Sequence, residues 1–196
     1  MRSQTNTLYV RDIEIVWRIC LAAALILVVV FPTAAADNSA KIHKVREYIK
    51  TLGTSPALVA AVKKQNSLGT NLDSTKAQHK LWLASPGIDD TMRELMENAA
   101  AKQMLGIAKS RPYILQMFLM DKQGANVAMI HKTTEYWHGE RPWFQKSFNG
   151  GNGAVFVDQE KFDESTQAYL VQISVPIMDG GKAVGALTVG IDIGKL

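Results

Sequence analysis

Residues 168–193, AYLVQISVPIMDGGKAVGALTVGIDI, decide the fold. Val171, Ile173 and Val175 alternate with Gln172 and Ser174. A period of two is the mark of a strand with one buried face. Asp179-Gly180-Gly181 then reads as a tight turn, because these residues tolerate the backbone angles that a turn demands. Lys182 to Ile193 returns as a second strand. On it Leu187, Val189, Ile191 and Ile193 share one face, and Ala186, Thr188, Gly190 and Asp192 share the other. The first face calls for a helix against it. The second is small and polar, so it either leaves room above the sheet or meets water.

Three more strands are expected upstream. Tyr113–Met120 is apolar and too short for a core helix; Asp121-Lys122-Gln123-Gly124 is a turn, and Ala125–His131 returns as a hairpin partner. Residues 133–148 are aromatic and mixed, and Asn149–Gly153 is glycine-rich. Ala154–Asp158 reads as the third strand in chain order. The preceding part is helical. Ile42, Val45, Ile49 and Leu52 recur at helical spacing, with Ser39 as cap and Gly53 as stop. Ser55-Pro56 opens a short helix to about residue 65. Ser74–Leu83 forms another, ended by Ser85-Pro86-Gly87. Thr91 and Glu94 make a capping box ahead of a helix that should run to about residue 108. Helices followed by strands in hairpins give an α+β domain: a five-stranded antiparallel sheet with a long N-terminal helix and additional short helices.

The first 36 residues read as a leader. Arg2, Arg11 and Arg18 precede an apolar run from Ile19 to Phe31, and Ala34-Ala35-Ala36 follows it. That is the order of a secretory signal peptide. The run is about 13 residues, short of the roughly 20 that a spanning helix needs. Cleavage after Ala36 is the expectation; the alternative is an uncleaved anchor in the inner membrane, facing the periplasm. Residues 37–110 would then be the helical part of one domain and 111–196 its sheet lobe. Cys20, the only cysteine, precedes the end of the apolar run, so it is no lipid acceptor and leaves the exported part without a thiol. The chain carries +4 overall; removing three arginines with Asp12 and Glu14 leaves +3. Basic and acidic residues are interspersed, which argues against a nucleic-acid partner.

The motifs in order resemble a family. Met120-Asp121-Lys122-Gln123-Gly124 is followed by Tyr136-Trp137-His138-Gly139, then Arg141-Pro142-Trp143-Phe144. Ile173–Asp179, Val184-Gly185-Ala186 and Gly190–Ile193 complete the pattern. This is similar to Cache sensor domains, the extracytoplasmic PAS-like modules, in their single-lobe form, over roughly residues 113–196. The resemblance implies a PAS-like sheet that holds a small molecule and catalyses nothing. It implies no cofactor, and a periplasmic or secreted protein that passes its signal to a membrane-bound partner, since no output domain follows within the chain. The implied ligand is an amino acid, an amine or an organic acid. The implied contacts are Tyr136, Trp137, Arg141, Trp143, Phe144, Phe156, Asp158 and Asp192. Arginine grips a carboxylate through two parallel bonds, aromatics wall a dry pocket, and acids accept from an ammonium. Two tyrosines of the amino-acid-binding pattern are Phe144 and Phe156 in this sequence, which removes two hydroxyl partners. If the pocket takes an amino acid, Arg141 holds the carboxylate and Asp158 or Asp192 the ammonium.

Other constellations compete. His131, Glu135 and His138 would share a helical face and could bind zinc, but the segment lacks helical patterning and reads as an ordinary loop. Asp158, Asp163 and Glu164 could attract calcium, or be a solvated loop. Trp137 and Trp143 are either core fillers or pocket walls. No nucleophile or phosphate-loop motif is present. The competing function is a structural or regulatory periplasmic protein whose Cache pocket is filled.

Overall fold

The computed structural model describes residues 34–196, with side chains from Ser39 onward. The leader reading falls almost wholly outside the described residues. From Asp37 to the C-terminus the chain forms one compact unit.

Among the described residues five helices come first: α1 Ala34–Leu52, α2 Pro56–Ser67, α3 Leu72–Ala84, α4 Asp90–Glu97 and α5 Ala99–Lys109. Strands β1 Ile114–Met120 and β2 Asn126–Met129 follow, then α6 Pro142–Phe148, and β3 Phe156–Val157, β4 Lys161–Asp163, β5 Ala168–Asp179 and β6 Lys182–Ile191. The strand order is β2-β1-β6-β5-β3, with β4 also paired to β5, and every pairing is antiparallel. The α+β expectation holds. The sheet has one strand more than the five expected, because the third strand is interrupted.

The interruption has a simple origin. Phe156 pairs with Ser174 and Val157 with Ile173, and the Asp158 N–H still donates to the Gln172 carbonyl at 2.9 Å. Pairing resumes with Lys161 opposite Leu170. From Asp158 to Lys161 the edge strand therefore takes three steps while β5 takes two. The surplus residue is a β-bulge at Gln159-Glu160, a device common at sheet edges and beside functional sites.

Local signals account for the helix boundaries. Asn71 caps α3 by accepting from the Ser74 N–H. The single helix expected from Thr91 to about residue 108 is instead two. Asp89, not Thr91, caps α4, and Asn98 stops it. Asn98 then caps α5 through its side-chain oxygen while its amide donates to the Val127 carbonyl at 2.9 Å. A residue that can satisfy both a helix start and a strand end competes well with helix continuation. The short α6 was not anticipated; it starts at Pro142, which is suited to a first helical position.

The sheet has two unlike faces. On one, Leu187, Val189 and Ile191 join Ile173 and Val175 beneath α1, α2 and α5, which contribute Ile49, Leu58 and Met104 among others. This is the helix-covered face that the alternation calls for. On the other, Phe118, Met120 and Ala186 meet Trp82 from α3, Met92 from α4 and Phe144 from α6. No helix among the described residues is long and apolar enough to cross a membrane.

Candidate functional site

The second face carries the polar groups. Ser174 and Thr188, on paired positions of β5 and β6, are fully buried and share a hydrogen bond of 2.8 Å. One step along, Gly190 lies between Gln116 on β1 and Gln172 on β5, paired with both. The two glutamines meet across it: the Gln172 amide donates to the Gln116 carbonyl oxygen at 3.2 Å. A Cβ at position 190 would stand 2.7 Å from Leu170 Cδ1 and 3.0 Å from Gln116 Cβ, so glycine is what leaves the bridge its room.

A cavity of about 150 Å³ opens beside this bridge. Trp143, Asp158, Leu170 and Gln172 wall it, with Lys161, Phe162 and Asp163 from β4. Asp158 shares the face of Gln172 because the ladder between them is intact just before the bulge. Its carboxylate is mostly covered and bonds Lys161 Nζ at 2.9 Å. The Trp143 indole N–H is buried without a partner. Next to it, His138 is 2% exposed, and neither ring nitrogen has a hydrogen-bond partner. Its ring stacks on Phe118 at 4.7 Å and lies 6.1 Å from Trp143. Burial holds the imidazole down at about 4, with the Glu135 charge opposing, so the ring is neutral at neutral pH. Buried polar atoms without partners are uncommon in folded proteins; Trp143 is on the cavity wall, and His138 lies behind it. Broader depressions of 360–590 Å³ lie around α2 and the 178–180 turn, but none of them is lined by a side chain with an unpaired buried polar atom.

The eight residues expected at the site fall in different places. Trp143 and Asp158 share the cavity wall. Arg141 does not. Its guanidinium is half-exposed and grips Glu135 with both Nε, at 2.7 Å, and Nη2. The Glu135 carboxyl is partly buried, which would raise its pKa, but the Arg141 bonds and charge outweigh this and hold it below the usual range. Phe144 is buried in the second core cluster, stacked on Phe148. Tyr136 packs on Trp82, where burial and the Asp121 charge push its hydroxyl up to about 12. Trp137 donates its indole N–H to the Gln123 carbonyl at 2.7 Å, under the Lys76 ammonium. Phe156 lies beneath Lys146. Asp192 caps the last turn through the Gly194 N–H and pairs with Lys195. Arg141, Tyr136 and Asp192 do not line the cavity with Trp143 and Asp158; Arg141 is paired with Glu135, and Asp192 with Lys195 and the Gly194 N–H. His138, Gln116 and Gln172 were not among the eight. Gln116, the lone polar residue in the strand ILQMFLM, was the available hint.

Among the described residues no group of three His, Cys, Asp or Glu side chains could hold a metal ion. His131, Glu135 and His138 do not share a helix, because residues 131–138 form no helix.

The family model of the methyl-accepting chemotaxis protein-like first PDC sensor domain matches residues 91–196, more than half of the chain. The chain belongs to this family of Cache/PDC sensor domains. No curated protein matches it significantly. Similar solved structures include the sensory domain of the Campylobacter jejuni chemoreceptor Tlp3, 18% identical, covering 79% of this chain and 63% of that one, with a TM-score of 0.40. Another is the ligand-binding domain of the Pseudomonas aeruginosa PAO1 amino-acid chemoreceptor PctC, in complex with GABA, at 13% identity, 76% and 64% coverage and a TM-score of 0.38. A third is the sensor domain of the Vibrio cholerae histidine kinase DctB, at 14% identity, 69% and 55% coverage and a TM-score of 0.38. The chain thus spans less than two thirds of these domains.

Proposed function

We propose that this sensor domain binds a small amine or amino acid, without catalysis, in the cavity walled by Trp143, Asp158, Leu170 and Gln172, and that it is exported and reports occupancy to a membrane-bound signalling partner. The observation that carries this reading is the coincidence of a cavity, a carboxylate and the partnerless buried Trp143 indole N–H on the small-residue face of the sheet. Asp158 is suited to an ammonium, and Trp143 and Phe162 offer aromatic surface to a cation. Arg141, engaged by Glu135, positions the segment before α6 rather than holding a ligand carboxylate. The cavity is about five liquid waters in volume, below the roughly 300 Å³ at which ligand pockets usually begin. It therefore suits ligands of a few heavy atoms unless its walls move. A melting-temperature screen of the purified protein against small amines, amino acids, organic acids and purines tests this. A shift with amines or small amino acids, lost in Asp158→Asn, is the expected result; a shift that survives Asp158→Asn places the ligand elsewhere.

The second reading is a filled lobe that acts through its surface. It draws on the mutual Ser174–Thr188 bond, which engages the two buried hydroxyls with each other and leaves one O–H between them for anything else. It expects no compound to bind.

A further inference from the structure

The β4–β5 hairpin is tied down at a point far from its own strands. β4 touches the sheet only through β5. Yet Gln116, a buried side chain on β1, two strands away, donates to Ser165 Oγ at the hairpin tip at 3.1 Å and approaches Asp163 at 3.5 Å. These bonds span β6 at Gly190, where no side chain stands in the way and the Gln116 side chain lies over the backbone. Ser165 in turn donates to Asp163 at 2.6 Å. The result is one chain of bonds, Gln172 to Gln116 to Ser165 to Asp163, and both its ends, Gln172 and Asp163, are on the cavity wall.

We propose that residues 161–168 form a strap over the cavity, latched by Gln116, and that the strap opens to admit ligand. This rests on the cavity being the binding site, and it supplies the wall movement that a ligand larger than the closed cavity needs. The geometry favours opening here over opening elsewhere. The opposite wall is α6, anchored by Phe144 in the core, and the floor is the central sheet. The strap is held at its tip by hydrogen bonds to an exposed serine, which water can replace, and its Phe162 packs on Tyr169 of β5 in solvent rather than in the core. A ligand that takes a hydrogen bond from Gln172 or gives one to Asp163 competes directly with the latch, so occupancy and strap position are coupled through Gln116.

The Trp143 indole N–H is the reporter. It has no hydrogen-bond partner, so burial alone protects it from exchange with solvent. The Trp82 and Trp137 indoles are bonded to carbonyls and serve as controls. Exchange of the three is measured by NMR in the wild type, in Ser165→Ala, which alters only an exposed hydroxyl, and in Gln116→Leu. Exchange at Trp143 at least about tenfold faster in both variants, with the controls within about twofold, is expected. No acceleration at Trp143, or equal acceleration at all three indoles, overturns the strap. The measurement needs no ligand. A response at Trp143 with no compound shifting the melting temperature keeps the strap and removes the ligand reading. A compound that binds while neither variant moves Trp143 exchange does the reverse.

Discussion

The His138 imidazole is stacked on Phe118 without a hydrogen bond at either nitrogen, and the Glu135 carboxylate, 3.8 Å from Nδ1, does not offset its burial. His138 would titrate at about 6.5 in the unfolded chain and titrates at about 4 in the fold. Its folded value is depressed, so the unfolded state takes up the proton first as pH falls. The stabilisation is complete above about pH 6.5 and drains away towards about pH 4. We expect a loss of about 2–3 kcal/mol between about pH 7.5 and about pH 4.5, read by urea denaturation. His138→Phe keeps a ring on Phe118 and should remove most of that pH dependence; an unchanged slope would mean that another group carries it. Arg141→Ala acts differently. It leaves the Glu135 carboxylate partly buried without its cation, and because Arg141 itself is half-exposed the cost should be modest, about 1 kcal/mol. A lowered melting temperature with ligand response intact is expected; loss of the ligand response alone would return Arg141 to the binding site.

At the level of elements, the turn between β4 and β5 holds Gln167 at φ 54, a left-handed backbone in which a side chain is unfavourable. Gln167→Gly should therefore stabilise the protein by about 0.5–1 kcal/mol, raising the melting temperature by roughly 1–4 °C; a decrease would show that the Gln167 side chain has a role of its own. The neighbouring structure shows where sequence reading reaches its end. β5 and β6 were legible because alternation over ten residues or more leaves one pairing and one core face. α1 was legible from four apolar residues at helical spacing. β4, with the sequence KFD, is three residues long and exposed or half-exposed throughout, so no periodicity exists to be read. The break at Asn98 was hidden because it depends on a bond to Val127, 29 residues away. The site shows the same division. Trp143 and Asp158 stood in a readable order of motifs. His138 looked like an ordinary loop residue, since its burial comes from Phe118 on a different element, and the Gln116–Gln172 bridge exists only once β6 has placed Gly190 between two strands.

For the whole molecule, the family match and the folding unit have different limits. The match begins at Thr91, inside α4. The core does not begin there. The helix-covered face takes Val45, Ile49 and Leu52 from α1 and Leu58 and Val62 from α2, and the other face takes Trp82 from α3. Ile49, Leu58 and Val62 are wholly buried and Trp82 nearly so. Each such side chain contributes about 1.5–3 kcal/mol by leaving water. Six of them make roughly 9–18 kcal/mol, an upper figure because unfolded chains already bury some surface. Whole domains are stable by only about 5–15 kcal/mol. Cutting the chain to residues 91–196 would also expose the aliphatic face of the sheet and invite association. We therefore expect residues 37–196 to melt cooperatively by circular dichroism, and residues 91–196 to show no cooperative transition and to bind a hydrophobic dye. Cooperative melting of the shorter chain would mean that the sheet with α5 and α6 is a folding unit by itself, and that α1 to α3 only shield it.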